Sequence, residues 1–182
     1  IHATSQVPAK KTRFITYCQR IAAILLLPAI IAIVALMMKK DHQEPLIAYN
    51  EATAPYGMVS SLTLPDSSKV WLNAGSTLKY PAAFTSNVRE VEMSGEAYFE
   101  VHADKEHPFI VNTGDLKVTA TGTAFNICSF AKAQEEVITL VTGKVAVSQE
   151  NNIKHLLPGQ QLNYQRASKS MEITDIDTYK YI

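Results

Sequence analysis

Five histidines, two cysteines and 17 carboxylates are the side chains with which this 182-residue sequence could do acid–base, metal or nucleophilic chemistry. Their spacing argues against it. His2, His42, His102, His107 and His155 are scattered along the chain. His102 and His107 flank an expected turn at Ala103, Asp104, Lys105 and Glu106 and match no usual metal-ligand spacing, so they read as surface histidines. Glu90, Glu92, Glu96 and Glu100 offer carboxylates of the kind glycosidases pair across a sugar. They fall on the polar positions of alternating runs, where a solvated rim is the ordinary reading. There is no G-x-S-x-G elbow. Gly143-Lys144 lacks the upstream glycine and the following hydroxyl residue of a phosphate-binding loop. Cys18 and Cys128 have no cysteine or histidine at zinc spacing. No metal, no cofactor and no enzyme class is expected.

The elements that must position these residues are strands. Leu62 and Leu64 alternate with Ser61 and Thr63, and Val91 and Met93 with Glu90 and Glu92. The same period runs through Ala97, Phe99 and Val101, through Leu116, Val118 and Ala120, and through Val145 and Val147. Alternation of this kind places one face in a core and the other in solvent. Turn formers punctuate the runs at Asp66-Ser67-Ser68, Asn73-Ala74-Gly75, Thr113-Gly114-Asp115, Thr142-Gly143-Lys144 and Pro158-Gly159. Gly95 is expected to break or bulge the chain between the Met93 and Phe99 runs. Many short antiparallel-type strands predict an all-β domain, either a sandwich or a β-solenoid-like stack.

Two aromatics fall on the opposite face. Trp71 and Tyr98 point away from Val70, Leu72, Phe99 and Val101. Either a second layer covers them, or they form an exposed patch for a partner.

Charge divides the chain. Residues 1–40 carry six basic side chains and no acidic one, whereas residues 41–182 carry 11 basic and 17 acidic side chains, a net of −6. An acidic body offers phosphates no positive field, which excludes nucleic acid as a partner. Residues 21–38 form an uncharged apolar run of 18, roughly 27 Å long as a helix and close to the thickness of a bilayer core. Pro28 is tolerable in such a span. The run exceeds a signal-peptide core and is followed by Lys39, Lys40, Asp41 and His42 rather than by a small-residue cleavage site, so it reads as a retained anchor. Four basic residues precede it and two follow, which puts the N-terminus in the cytoplasm. The expected organisation is a cytoplasmic remnant over 1–20, a transmembrane helix over 21–38, a periplasmic linker over 39–55 and the all-β domain over 56–182. Cys18 and Cys128 then lie on opposite sides and cannot pair.

Motif order is more specific than any of these features. SLTLPDSSKVWLNAGSTLKYP (61–81) is followed by REVEMSGEAYFEVHADKEHPFIVNTGDLKVTATGTAFNI (89–127), then ITLVTGKVAVS (138–148) and LLPGQQL (156–162). This series resembles the FecR family over about residues 56–165. The resemblance implies a single-pass regulator of the cytoplasmic membrane with its main domain in the periplasm. It implies two partners: the signalling domain of an outer-membrane TonB-dependent transporter, and an extracytoplasmic-function sigma factor bound by a cytoplasmic domain that lies outside this sequence. The genes controlled would serve iron or nutrient uptake. Some relatives cut themselves at a Gly-Thr bond, and Gly122-Thr123 in TATGTAF stands at the matching place. That implies attack by the Thr123 hydroxyl on the Gly122 carbonyl; the plain alternative is a glycine bulge followed by a strand threonine. Two other readings are a membrane-anchored envelope domain that binds polysaccharide or serves a structural role, and an envelope hydrolase.

Overall fold

The computed structural model describes residues 48–176 continuously, together with Arg20, Leu26, 28–31, Ile33 and Val34. The chain divides into two compact units, Ile1–Leu46 and Ile47–Ile182. In the first unit the described positions are helical, and Leu26, Ile30, Ile31, Ile33 and Val34 are exposed. Among the described residues no helix is long and apolar enough to cross a membrane. The expected span over 21–38 lies mostly outside them, as do Cys18, His2 and His42.

The second unit is all-β. Its strands are β1 (Tyr49–Thr53), β2 (Ser60–Thr63), β3 (Lys69–Leu72), β4 (Thr77–Pro81), β5 (Arg89–Glu100), β6 (Phe109–Asn112) and β7 (Lys117–Ala120). They continue as β8 (Ala124–Ser129), β9 (Glu135–Thr142), β10 (Val145–Gln149), β11 (Asn152–Leu156), β12 (Gln160–Gln165) and β13 (Ser170–Asp175). One sheet has the order β1-β4-β5-β6-β7-β10-β11, and the other β2-β3-β5-β8-β9-β12-β13. The β5–β6 pair is parallel and the rest are antiparallel.

β5 belongs to both sheets. Its first half pairs with β4 and β6, and from Gly95 onward it pairs with β3 and β8. Gly95 therefore does not break the strand. It is the point where a continuous strand passes from one sheet to the other, with φ at 107°. A Cβ there would lie 2.4 Å from Ser76 Oγ, the atom that accepts a 2.8 Å hydrogen bond from the Glu96 N–H. Only glycine meets both demands.

The alternating apolar residues of both sheets meet in one core. Phe99 and Phe125 from one sheet stack at 5.2 Å between centroids, and Phe99 reaches Phe109 of the other sheet at 6.2 Å. Burying each such ring is worth about 1.5–3 kcal/mol. The architecture is thus two sheets wrapped on one core and fused through β5. It is not a solenoid, since all neighbouring strands except β5 and β6 are antiparallel partners rather than stacked coils.

The expected linker over 39–55 ends earlier than its prolines suggest. Residues 49–53 form β1, which pairs with β4 in register. The apolar signal is faint there, because Ala52 and Ala54 are the residues that meet the core and Tyr49 lies outside, with Lys79 Nζ 4.9 Å from its ring centre.

Candidate functional site

Gly122 and Thr123 form the bend between β7 and β8. Gly122 has φ at 125°, in the region side chains disfavour, and a Cβ on it would lie 2.8 Å from Ala103 Cα. Thr123 follows in the opposite state, with its backbone pinned: the Val101 N–H donates to its carbonyl at 2.9 Å. Gly143, in the turn after β9, passes close to the same peptide and leaves no room for a side chain of its own. A Cβ there would lie 2.6 Å from Thr123 Cγ2 and 2.9 Å from the Gly122 carbonyl oxygen. The Gly122–Thr123 peptide is thus wedged between two backbone segments.

Thr123 is 5% exposed, and its Oγ1 is buried without a hydrogen-bond partner. A buried hydroxyl left unpaired costs about 1–3 kcal/mol. The residue lines an open cleft of about 430 Å³ with Tyr98, Glu100, Ala103 and Thr142. Tyr98 and Glu100 are the titratable groups of that lining. Burial, and secondarily the Glu100 charge, push the Tyr98 hydroxyl above its ordinary range.

Trp71 stands directly across from Tyr98 in the β3–β5 ladder, with ring centroids 5.7 Å apart and planes tilted by 54°. Both are half-buried. Neither earlier alternative describes them fully: no layer closes over them, and they are not a freely exposed platform. The structure brings Tyr98 and Thr123 into one cleft and leaves Trp71 beside it.

Other expectations fall where the alternation put them. Glu90, Glu92 and Glu100 are exposed, and His102, His107 and His155 are at the surface. Among the described residues no group of three or more metal-ligating side chains converges. Cys128 sits half-buried on β8, its thiol pushed up by burial and then by Glu96 and Glu135, which disfavours the thiolate.

Two buried polar clusters were not anticipated. Arg89, 3% exposed, pairs with Asp66 Oδ2 at 2.6 Å and donates to the carbonyls of His107 and His102 at 2.8 and 3.1 Å. Its guanidinium also lies 5.5 Å from the Phe109 ring centre. Glu136, fully buried, accepts from Thr113 Oγ1 at 2.6 Å and from Arg166 Nη2 at 3.1 Å. Arg166 Nη1 also donates to the Phe130, Ala131 and Ala133 carbonyls. Arg166 Nε lies 2.8 Å from Asp115 Oδ2 but has no directed hydrogen bond, so that contact is ionic only. Each arginine ties a loop to the core margin, and parity would have revealed both. Arg89 shares the inward positions of Val91 and Met93, and Glu136 those of Ile138 and Leu140.

A β-domain fused through one shared strand, with a wedged Gly-Thr peptide at the bend, is the class of module this chain contains. The FecR protein family model matches residues 51–146, and the chain belongs to the FecR family. Two crystal structures of a candidate anti-sigma factor from Parabacteroides distasonis ATCC 8503 share the fold. One is 34% identical with a TM-score of 0.72, covering 74% of this chain and 63% of that one. The other is 35% identical with a TM-score of 0.70, covering 72% of this chain and 62% of that one. The chain thus spans less than two thirds of those structures. No curated protein matches it.

Proposed function

We propose that this chain belongs to a sigma-factor regulator in which the β-domain receives a signal outside the cytoplasm and passes it inward. The observation that carries this reading is the FecR match joined to the fold of a candidate anti-sigma factor. Residues 21–38 would anchor the protein in the cytoplasmic membrane, with the N-terminus inside and the β-domain in the periplasm; the basic flanks and acidic body support that orientation. The signal would come from a TonB-dependent transporter's signalling domain, with Trp71 and Tyr98 among the contacts. The output would be an extracytoplasmic-function sigma factor controlling iron or nutrient uptake genes.

Cleavage of the Gly122–Thr123 bond is part of this proposal. Thr123 Oγ1 attacks the Gly122 carbonyl carbon, the C–N bond breaks, and the hydroxyl proton ends on the freed Thr123 nitrogen. Water then hydrolyses the ester, leaving a Gly122 carboxylate and restoring the hydroxyl. The unpartnered Oγ1 and the glycine conformation support it. Glu100 is the carboxylate that lines the same cleft.

The test of the signalling reading is transcript profiling after deletion of the full-length gene. Altered expression of a transporter gene cluster is expected; an unchanged transcriptome contradicts it. The test of cleavage is immunoblotting of the protein tagged at both ends. Two fragments that collapse to one band in Thr123→Ala support the chemistry, and a single full-length band in both sinks it.

A further inference from the structure

β1 is an edge strand held by one ladder. It pairs with β4, from Tyr49 opposite Pro81 to Thr53 opposite Thr77, and among the described residues with no other strand. Four of its five residues are exposed, and Ala52 and the following Ala54 make its contact with the core. Two methyl groups bury little apolar area. Backbone hydrogen bonds to β4 are what keep the strand in place.

The loop that follows is apolar and open. Residues 52–65 carry no charged side chain. Within them Tyr56 is 93%, Met58 61% and Val59 64% exposed. A Cβ on Gly57 would meet nothing within 4 Å. The bond that closes the turn runs from the Met58 N–H to the Pro55 carbonyl at 3.1 Å. Straightening residues 55–59 gives up that bond, and a partner that covered the three apolar side chains would gain their burial.

The same loop is complementary to itself. Drawn out as a strand, it puts Tyr56 and Met58 on one face, two residues apart. Laid antiparallel against a second copy about Gly57, it sets Tyr56 opposite the partner's Met58 and Pro55 opposite the partner's Val59. A two-fold axis at Gly57 makes each contact twice. An aromatic ring beside a thioether is a favourable pair, and the absent Gly57 side chain leaves the axis unobstructed.

We propose that two copies of this chain exchange β1: residues 55–59 open as a hinge, and each β1 lies on the other copy's β4. The exchanged strand meets the same β4 residues as before, so that ladder is regained in full. Exchange of an identical element is a low-cost route to a dimer for this reason. The paired hinges supply what the closed chain lacks, a cover for Tyr56, Met58 and Val59. A second copy fits where an unrelated protein need not, because the hinge matches its own sequence run backwards. The exchange uses none of Trp71, Tyr98, Gly122 and Thr123, and it is independent of the cleavage chemistry and of the sigma-factor reading.

Disulfide trapping reads which chain supplies β1. The Ala54 N–H donates to the Ser76 carbonyl at 2.9 Å, so by alternation the neighbouring Thr53–Thr77 pair exchanges no hydrogen bond. Such pairs stand about 4.5 Å apart at Cα, within disulfide reach. The full chain carries Cys18→Ser and Cys128→Ser, then Thr53→Cys with Thr77→Cys, and is oxidised with copper–phenanthroline in cells. A closed chain forms the bond within itself; exchanged chains form it between two. The expected result on a non-reducing gel is a covalent dimer amounting to about half or more of the oxidised protein, the ladder being equal in both forms and the hinge contact tipping the balance. Tyr56→Asp with Met58→Asp, both at exposed positions, should lower it at least about fivefold, a change of roughly 1 kcal/mol. Glu51→Cys with Lys79→Cys repeats the reading at the next pair of this kind. Oxidised protein that runs only as monomer with both pairs overturns the proposal. So does a dimer band that persists with Thr53→Cys alone, or one that the two Asp changes leave untouched.

Discussion

Arg89 Nη1 lies 2.6 Å from Asp66 Oδ2, and the pair is buried, with side-chain exposures of 4% and 9%. That contact fastens the turn after β2 to the first residue of the shared strand, and the Arg89 hydrogen bonds to the His102 and His107 carbonyls fasten the loop before β6 there too. Removing one partner leaves a charge with no solvent. Asp66→Ala is expected to destabilise the domain by about 3–5 kcal/mol, and Arg89→Met in the same chain to recover part of that loss. Urea unfolding measures both; a change within about 0.5 kcal/mol for Asp66→Ala contradicts the assignment.

Gly95 and Ser76 give a second test. Gly95→Ala places a methyl against Ser76 and forces a side chain onto φ 107°. A loss of about 1–3 kcal/mol is expected from the backbone conformation alone. Ser76→Gly does not rescue it, because Ser76 Cα itself would lie 2.7 Å from the new Cβ. Full rescue by that second change would show that the strand can move.

Asp104 should titrate abnormally. Its side-chain hydrogen bond with His107 is the first cause holding its pKa down to about 2, from an ordinary 3.8. A depressed carboxyl pKa stabilises the fold above the ordinary value and loses that contribution as pH falls from about 4 toward 2. The group is exposed, so the effect is read best by NMR of the side-chain carboxyl carbon. The midpoint should lie near 2 and move up toward 3.8 in His107→Ala; an unmoved midpoint contradicts the hydrogen bond as its cause.

Thr123→Val separates chemistry from stability. Valine keeps the shape and removes the unpartnered hydroxyl, so the variant is expected to be as stable as the parent or more stable by about 1 kcal/mol. It should also be uncleaved. Where the parent is cut, the two pieces should copurify without denaturant, since the cut leaves β5 paired to β8 and β7 to β10. A destabilised Thr123→Val shows that the hydroxyl has a structural partner.

Much of the sheet was legible because alternation reports burial directly. Val91, Met93, Ala97, Phe99, Val118 and Val147 are all in the core, as their parity demanded. β1 was hidden because alanines are its inward contact and prolines flank it. The role of Gly95 was misjudged for another reason. A glycine in a strand signals an exceptional backbone, but whether that backbone breaks or changes sheets depends on Ser76, nineteen residues away in sequence, which holds the neighbouring Glu96 N–H. The arginine clusters were missed because charge was taken as a mark of the surface, although Arg89 and Glu136 stand at inward parity. The register that sets Trp71 directly opposite Tyr98 was illegible in principle, since register between distant strands is fixed by pairing and not by local pattern.

The most direct test of the account is affinity purification of the full-length gene product, tagged at its C-terminus, from native cells, with bound proteins identified by mass spectrometry. The account predicts recovery of one extracytoplasmic-function sigma factor in near-stoichiometric amount. Intact full-length protein recovered with no sigma factor, in cells where the sigma factor is expressed, contradicts it.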